Sequence, residues 1–282
     1  MKILTWNIQW CRGCDGRVDP ERIVRDAQAF ADFDVLCLQE VAANFPDLEG
    51  SAGENQFQFL AELLPQYTAV PGAAVDIAGP RGKRQVFGNL IFSRLPVLRV
   101  LRLQLPWPYS SNHEGMPRML LEATVQTAHG PLRVMTTHLE YYSVTQRTAQ
   151  VAAIRARHAE ACVHARHALS KKKESGPFKA IRQPQSAILT GDFNFKPEDA
   201  LWKEVQAPFD NHAPAFRDAW TQLHPDKTRP HTIGLYDRVQ WPQPYACDYI
   251  FATEDLLPRL RGVDVDMHTD ASDHQPMLVE LE

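Results

Sequence analysis

No excess of positive charge runs through this sequence. Its 30 Lys and Arg against 34 Asp and Glu leave a net charge of −4 and a pI of about 6.3. That balance excludes the global basic field that gives salt-sensitive, sequence-blind affinity for nucleic acid, and leaves only a local basic patch open. No apolar run approaches the roughly 18 residues of a membrane helix. The opening MKILTWNIQW leaves no room for a signal peptide before polar residues intervene. A cytoplasmic protein is therefore expected, without membrane insertion and with no obligate protein partner indicated. Cysteine is scarce and odd in number, at five, which fits a reducing compartment better than a disulfide framework. Cys11 and Cys14 stand alone as CRGC with no second pair to complete a zinc centre. Cys37, Cys162 and Cys247 sit among apolar residues and read as small core side chains.

What is present is ordinary globular material: 282 residues, 44% hydrophobic and 23% charged, enough for one large domain or two small ones. KILTWN reads as a strand. In DPERIVRDAQAFADF, Asp19 can cap, Pro20 suits the first helical position, and Ile23, Val24, Ala27 and Phe30 form an apolar stripe, which predicts a helix. DVLCLQE, VFGNLIFS, MLLEATVQT and PLRVMTTHL read as strands, and ENQFQFLAELL and TQRTAQVAAIRARHAEACVHARHAL as helices. Beyond the long helix, the polar KKKESGPFKAIRQPQ reads as a surface loop. SAILTGD, CDYIFAT, GVDVDM and PMLVELE complete the strands. The mixture predicts an α/β layered sandwich. With no clean boundary, residues 1–282 are expected to form one domain with a surface-loop insertion near 170–185.

The strands share a habit: they end in polar groups. Asn7 closes TWN, Glu40 closes LQE, His138 closes TTH, Asp192 and Asn194 follow ILTG, Asp248 opens the strand DYIF, and Asp273 and His274 precede the last strand. Each has a structural reading by itself: turn formers, caps, solvated strand ends or a core histidine. Together they are harder to dismiss, because ligand sites form where strand ends converge. Burying several carboxylates without a cation or donors is also costly.

At TWNIQW, LQE, GNLIFS, TTHLE, GDFN, CDYIF and SDHQP the chain resembles the endonuclease/exonuclease/phosphatase superfamily, which includes exonuclease III, pancreatic deoxyribonuclease, neutral sphingomyelinases and inositol polyphosphate 5-phosphatases. The resemblance spans nearly the whole chain. It implies a four-layer α/β sandwich of two packed mixed β-sheets flanked by helices, with the site at one edge. It further implies that Glu40 is the principal ligand of Mg²⁺ or Mn²⁺, with Asn7 beside it and Asp273 closing the metal side; few hard oxygen ligands suit Mg²⁺. His274 is expected against the phosphate, held by Asp248, acting as base or clamp according to its protonation. Asp192 is expected to orient or deprotonate the attacking water. Asn194, two residues on along an extended chain, points to the same side and can donate to a phosphate oxygen. His138 matches a second histidine of the deoxyribonuclease, sphingomyelinase and 5-phosphatase branches, which steers away from abasic-site repair. Arg118 is either a phosphate-binding arginine or a surface arginine on an edge strand. Asn89 is either a supporting amide or a turn residue.

The expected activity is metal-dependent hydrolysis of a phosphate ester by in-line attack of water. A nucleic-acid phosphodiester, DNA or RNA, leads; a small metabolite or lipid headgroup is the alternative, and a binding module without catalysis stands behind both. LPWPYSSNHEGMPR and GLYDRVQWPQPYACD bring aromatics that can stack on bases, pack a lipid-facing wall or form rigid loop cores. No extended apolar hairpin favours a membrane-inserting sphingomyelinase, and the longer blocks of the 5-phosphatases are missing. TTHLEYYS is similar to a stretch in phosphodiesterases acting on DNA ends. His164 and His167, with Arg157, Arg166 and Lys171, read as a solvated basic face that, with the KKKE loop, can guide a polyanion.

Overall fold

The computed structural model describes residues 1–111, 114–167 and 175–282. The expected run Lys171–Lys173 lies outside the described residues. The strands are β1 (Lys2–Asn7), β2 (Val35–Ala43), β3 (Thr68–Ala78), β4 (Arg84–Ser93), β5 (Val97–Gln104), β6 (Met119–Thr127), β7 (Gly130–His138), β8 (Ala187–Asp192), β9 (Phe216–Asp218), β10 (Asp248–Thr253), β11 (Leu260–Val265) and β12 (Met277–Leu281). They form two six-stranded sheets, ordered β11-β12-β1-β2-β4-β3 and β5-β6-β7-β8-β10-β9. Each sheet has a parallel pair at its centre, β1 with β2 and β7 with β8, among antiparallel neighbours. The helices are α1 (Pro20–Phe30), α2 (Gln56–Leu63), α3 (Val144–Arg166), α4 (Ala200–Gln206) and α5 (Ala219–Leu223).

Alternation along the strands builds the layers. Ile3, Val35 and Cys37 face Ile188, Leu121, Val134 and Ile250 between the sheets. Their neighbours Leu4, Leu36 and Leu38 turn the other way, onto Ile23, Val24 and Ala27 of α1 and Leu60 of α2. On the far side Leu189, Tyr249 and Phe251 meet Val151 and Ile154 of α3 and Val205 of α4. This period of two, with both faces buried, yields helix, sheet, sheet, helix. The four-layer α/β sandwich is therefore the observed fold. In α1, the Asp19 side chain accepts from Arg22 N–H at 2.9 Å and Pro20 opens the helix, as its sequence requires.

Several local readings need correction. β3, β5 and the three-residue β9 were not anticipated, and GVDVDM pairs two residues earlier, as β11. Arg157 does not belong to a solvated face: it is buried and pairs with Glu122 at 2.8 Å, while His164, Arg166 and His167 are exposed. The supposed surface loop is anchored at its end. Gln183 is buried against Glu122 at 3.2 Å, and Arg133 takes the carbonyls of Pro184 and Gln185 at 3.0 Å each.

Candidate active site

Register brings the polar strand ends together. His138 at the end of β7 lies beside Asp192 at the end of β8, and Asp192 pairs in turn with Asp248 at the start of β10. From the opposite sheet, Asn7 ends β1, and β2 bulges between Leu38 and Val41, which frees Glu40 from the ladder with a φ of +61°. A left-handed non-glycine costs on the order of 1–3 kcal/mol and persists where surroundings hold it. Here the Asn7 amide does so, donating to Glu40 Oε1 at 3.0 Å and to Asp192 Oδ2 at 3.1 Å. Asn7 Oδ1 accepts from Gln9 N–H at 3.1 Å, which fixes the amide's orientation and presents its nitrogen, not its oxygen, to the carboxylates.

His274 Nδ1 lies 2.8 Å from Asp248 Oδ2, and its Nε2 is 3.7 Å from Asp192 Oδ2. Burial works against a charge on His274 but is outweighed by Asp248 and Asp192, so its pKa is raised well above the ordinary value. His138 spans the same carboxylates, with Nδ1 3.8 Å from Glu40 and Nε2 3.5 Å from Asp192. Burial, then the positive charges of Arg118 and His274, hold it well below the usual histidine range. The two imidazoles are thus pushed in opposite directions, His274 toward the cationic form and His138 toward the neutral one. Burial, reinforced by the charge of Asp273, pushes Glu40 up to about 7. Burial also pushes Asp192 up to about 6, with His274 opposing and Asp248 adding to the rise.

Asp273 sits at the cleft but is bound by protein donors, Gln9 Nε2 at 3.0 Å and Trp241 Nε1 at 2.9 Å. Asn194 is not extended: at φ +52° its N–H returns to Asp192 Oδ1 at 2.9 Å and its side-chain amide donates to Leu139 O at 2.9 Å. Its side chain therefore does not take the direction that an extended chain would give it, although it does line the cleft. Arg118 is not a surface residue. It is 5% exposed, its Nε is 3.4 Å from Glu140 Oε2, and its Nη1 has no partner. Asn89, buried in β4, reaches the carbonyls of Met119 and Thr136 across the sheets at 3.4 and 3.5 Å.

Glu40, Arg118, His138, Asp192, Asn194, Asp273 and His274 line one cavity of about 390 Å³, with Asn7 and Asp248 directly behind it. A divalent cation fits these residues: ligand atoms of Glu40, His138 and Asp192 lie within 4.8 Å of one another. The Gln9 Oε1 on the same wall is buried without a partner. An excess of buried carboxylate with raised pKa values is what a bound cation relieves.

The family model described as Endonuclease/Exonuclease/phosphatase family matches residues 4–274. The chain belongs to that family. As a member it is a phosphoesterase hydrolase, of a family that depends on divalent metal. A search among curated proteins finds no match. Solved structures do match in fold. The endonuclease/exonuclease/phosphatase of Beutenbergia cavernae is 24% identical with a TM-score of 0.71, covering 99% of this chain and 70% of that one. The mannosyl-6-phosphatase of Bacteroides thetaiotaomicron is 17% identical with a TM-score of 0.67, covering 100% and 99%. D. rerio TDP2 in complex with a single-strand DNA product is 20% identical with a TM-score of 0.63, covering 99% and 97%.

Sequence reasoning missed Gln9, Glu140 and Trp241. Gln9 reaches Asp273 because Gln9, Trp10 and Cys11 all adopt positive φ, of 44°, 43° and 62°, a turn that no residue type there announces. Glu140 stands two residues after His138 in TTHLE, where nothing local marks it; its carboxylate holds Arg118 and the Tyr142 N–H. Trp241 lies in a stretch noted only for its aromatics.

Proposed function

We propose that this cleft hydrolyses a P–O ester bond by in-line attack of water, with a nucleic-acid phosphodiester as substrate. Glu40, with Asp192 and His138 beside it, would hold Mg²⁺ or Mn²⁺, and Asn7 and Asp273 would orient the ligands. The bound cation supplies charge neutralisation at the phosphoryl group and the leaving oxygen. Asp192 accepts the proton of the attacking water. The His274 imidazolium, held by Asp248, donates from Nε2 to a phosphoryl oxygen, so its raised pKa supports the clamp over the base. Arg118 Nη1 and Asn194 complete the donors on the phosphate.

The observation that carries the nucleic-acid reading is the aromatic rim. Tyr141 and Tyr142 are 40% and 59% exposed, Trp241 packs edge-on against Tyr141 at 5.8 Å, and all three line the catalytic cavity. Base stacking on such rings contributes about 1–3 kcal/mol per base. The structural neighbour solved with a single-strand DNA product lends the same support. A second reading, hydrolysis of a small phosphomonoester, is favoured by the modest cavity and the acidic net charge; a mannosyl-6-phosphatase shares the fold. Among the described residues no helix is long and apolar enough to cross a membrane, and the five cysteines are free, which supports a cytoplasmic enzyme.

Incubation with Mg²⁺ or Mn²⁺ and short single-stranded DNA, plasmid, bis(4-nitrophenyl) phosphate and a panel of sugar phosphates separates the readings. Preference for the diesters supports the first and preference for a monoester the second. Glu40→Ala and His274→Ala controls exclude contaminating activity.

A further inference from the structure

Beside the catalytic cleft a second cavity, of about 340 Å³, opens among the segment after β8, α5 and the chain leading into β10. Lys196, Lys227, Arg229 and His231 stand on its wall among Trp220 and Tyr245, with Glu198 as the opposing carboxylate. Two buried donors here lack acceptors. Arg229, its side chain 10% exposed, pairs with Asp218 through one nitrogen and keeps Nη1 without a partner. Trp220, 7% exposed, keeps its indole N–H without one. An anionic oxygen drawn into this cavity would supply the acceptor that these donors lack.

The cavity adjoins the cleft through the chain and through ring contacts. Lys196 follows Asn194 by two residues, at most about 7 Å along the backbone. Its ammonium lies 5.0 Å from the Tyr245 ring, and Tyr245 packs 6.2 Å from Trp241 of the cleft rim. Cationic groups, flat rings and unmet donors alongside the cleft suit a nucleic-acid strand, in which phosphates recur beside stackable bases. We propose that this cavity is a subsite for the neighbouring phosphate of the same strand, an inference that rests on the phosphodiesterase reading above.

The test uses the full chain with Lys196→Glu and Lys227→Glu combined, and with Lys227→Glu alone as the milder variant at an exposed position. Anisotropy of fluorescently labelled (dT)6 in EDTA measures binding without cleavage. Hydrolysis of (dT)6 and of bis(4-nitrophenyl) phosphate, which has no second phosphate, is measured in Mn²⁺. The subsite predicts at least tenfold weaker (dT)6 binding in the double variant, and a loss in kcat/KM at least tenfold larger for (dT)6 than for bis(4-nitrophenyl) phosphate. Lys227→Glu alone shifts both in the same direction. Equal losses on both substrates, unchanged binding, or no binding of (dT)6 by the parent protein overturns the subsite. Failure of the parent protein to hydrolyse bis(4-nitrophenyl) phosphate instead overturns the phosphodiesterase reading, and anisotropy still judges the subsite.

Discussion

Asp248 and His274 are held 2.8 Å apart, both buried, with Asp248 N–H fixed on Thr232 Oγ1 and His274 N–H on Ser272 Oγ. The carboxylate both orients the ring and favours its cationic form, so each residue is useful only through the other. Asp248→Asn and His274→Ala are each expected to lower kcat by on the order of 10²–10⁴-fold. The double variant is expected to be little worse than His274→Ala, because residues that act as a unit are not additive. Steady-state kinetics on bis(4-nitrophenyl) phosphate check both statements.

Cation affinity should depend on pH in a stated direction. Without a cation, Glu40 titrates near 7 and Asp192 near 6, raised chiefly by burial. A cation binds the deprotonated forms. Mn²⁺ affinity therefore rises with pH up to about 7 and levels above it, falling about tenfold per unit between 7 and 6 and more steeply below. Calorimetric titration with Mn²⁺ from pH 5.5 to 8.5 measures the slope.

Away from the cleft, Glu122 takes two buried arginines, Arg157 at 2.8 Å and Arg133 at 3.5 Å. Glu122→Ala takes the carboxylate away from buried Arg133 and leaves Arg157 only its half-exposed pair with Glu160 at 3.0 Å, and should destabilise the fold by about 3–5 kcal/mol. Urea unfolding gives the value.

His158 supplies a separate pH dependence of stability. It receives Arg133 Nη2 at Nδ1, 2.6 Å away, and lies 2.9 Å from Pro214 O through Nε2, which fits a neutral ring with its proton on Nε2. Burial and then Arg133 depress its pKa to about 3. The unfolded ring binds a proton near 6.5, so its stabilising contribution is complete above that value and is lost as pH falls toward 3. His158→Gln should flatten that limb of a plot of stability against pH.

Gly191 explains the stretch that precedes the catalytic aspartate. Its φ is +134°, and a Cβ there would collide with the Thr137 carbonyl of the neighbouring strand. Gly191→Ala should part β7 from β8 just where His138 and Asp192 must meet, lowering both the melting temperature and kcat.

Much of this was legible beforehand because strands buried on both faces read as continuous apolar runs with a polar stop. The stops at Asn7, His138 and Asp192, and the polar entries at Asp248 and His274, mark the positions that meet in the fold. What was hidden has physical reasons. β3 is an edge strand carrying Pro71 and Gly72, both poor strand formers. β5, with Arg99 and Arg102 three apart among Val and Leu, imitates helical spacing. The freeing of Glu40 depends on a bulge with no residue signature here, whereas the left-handed backbone of Asn194 is one that asparagine favours and that its reading as a turn former already implied. The burial of Arg118 depends on Glu140, 22 positions away.

An anomalous difference map from crystals grown with Mn²⁺ and inorganic phosphate tests the central claim most directly. The account predicts one strong peak at direct ligand distance, about 2.0–2.2 Å, from Glu40 Oε, with phosphate between the ion and His274 Nε2. A peak elsewhere, with Glu40 unliganded and phosphate away from His274, would contradict it.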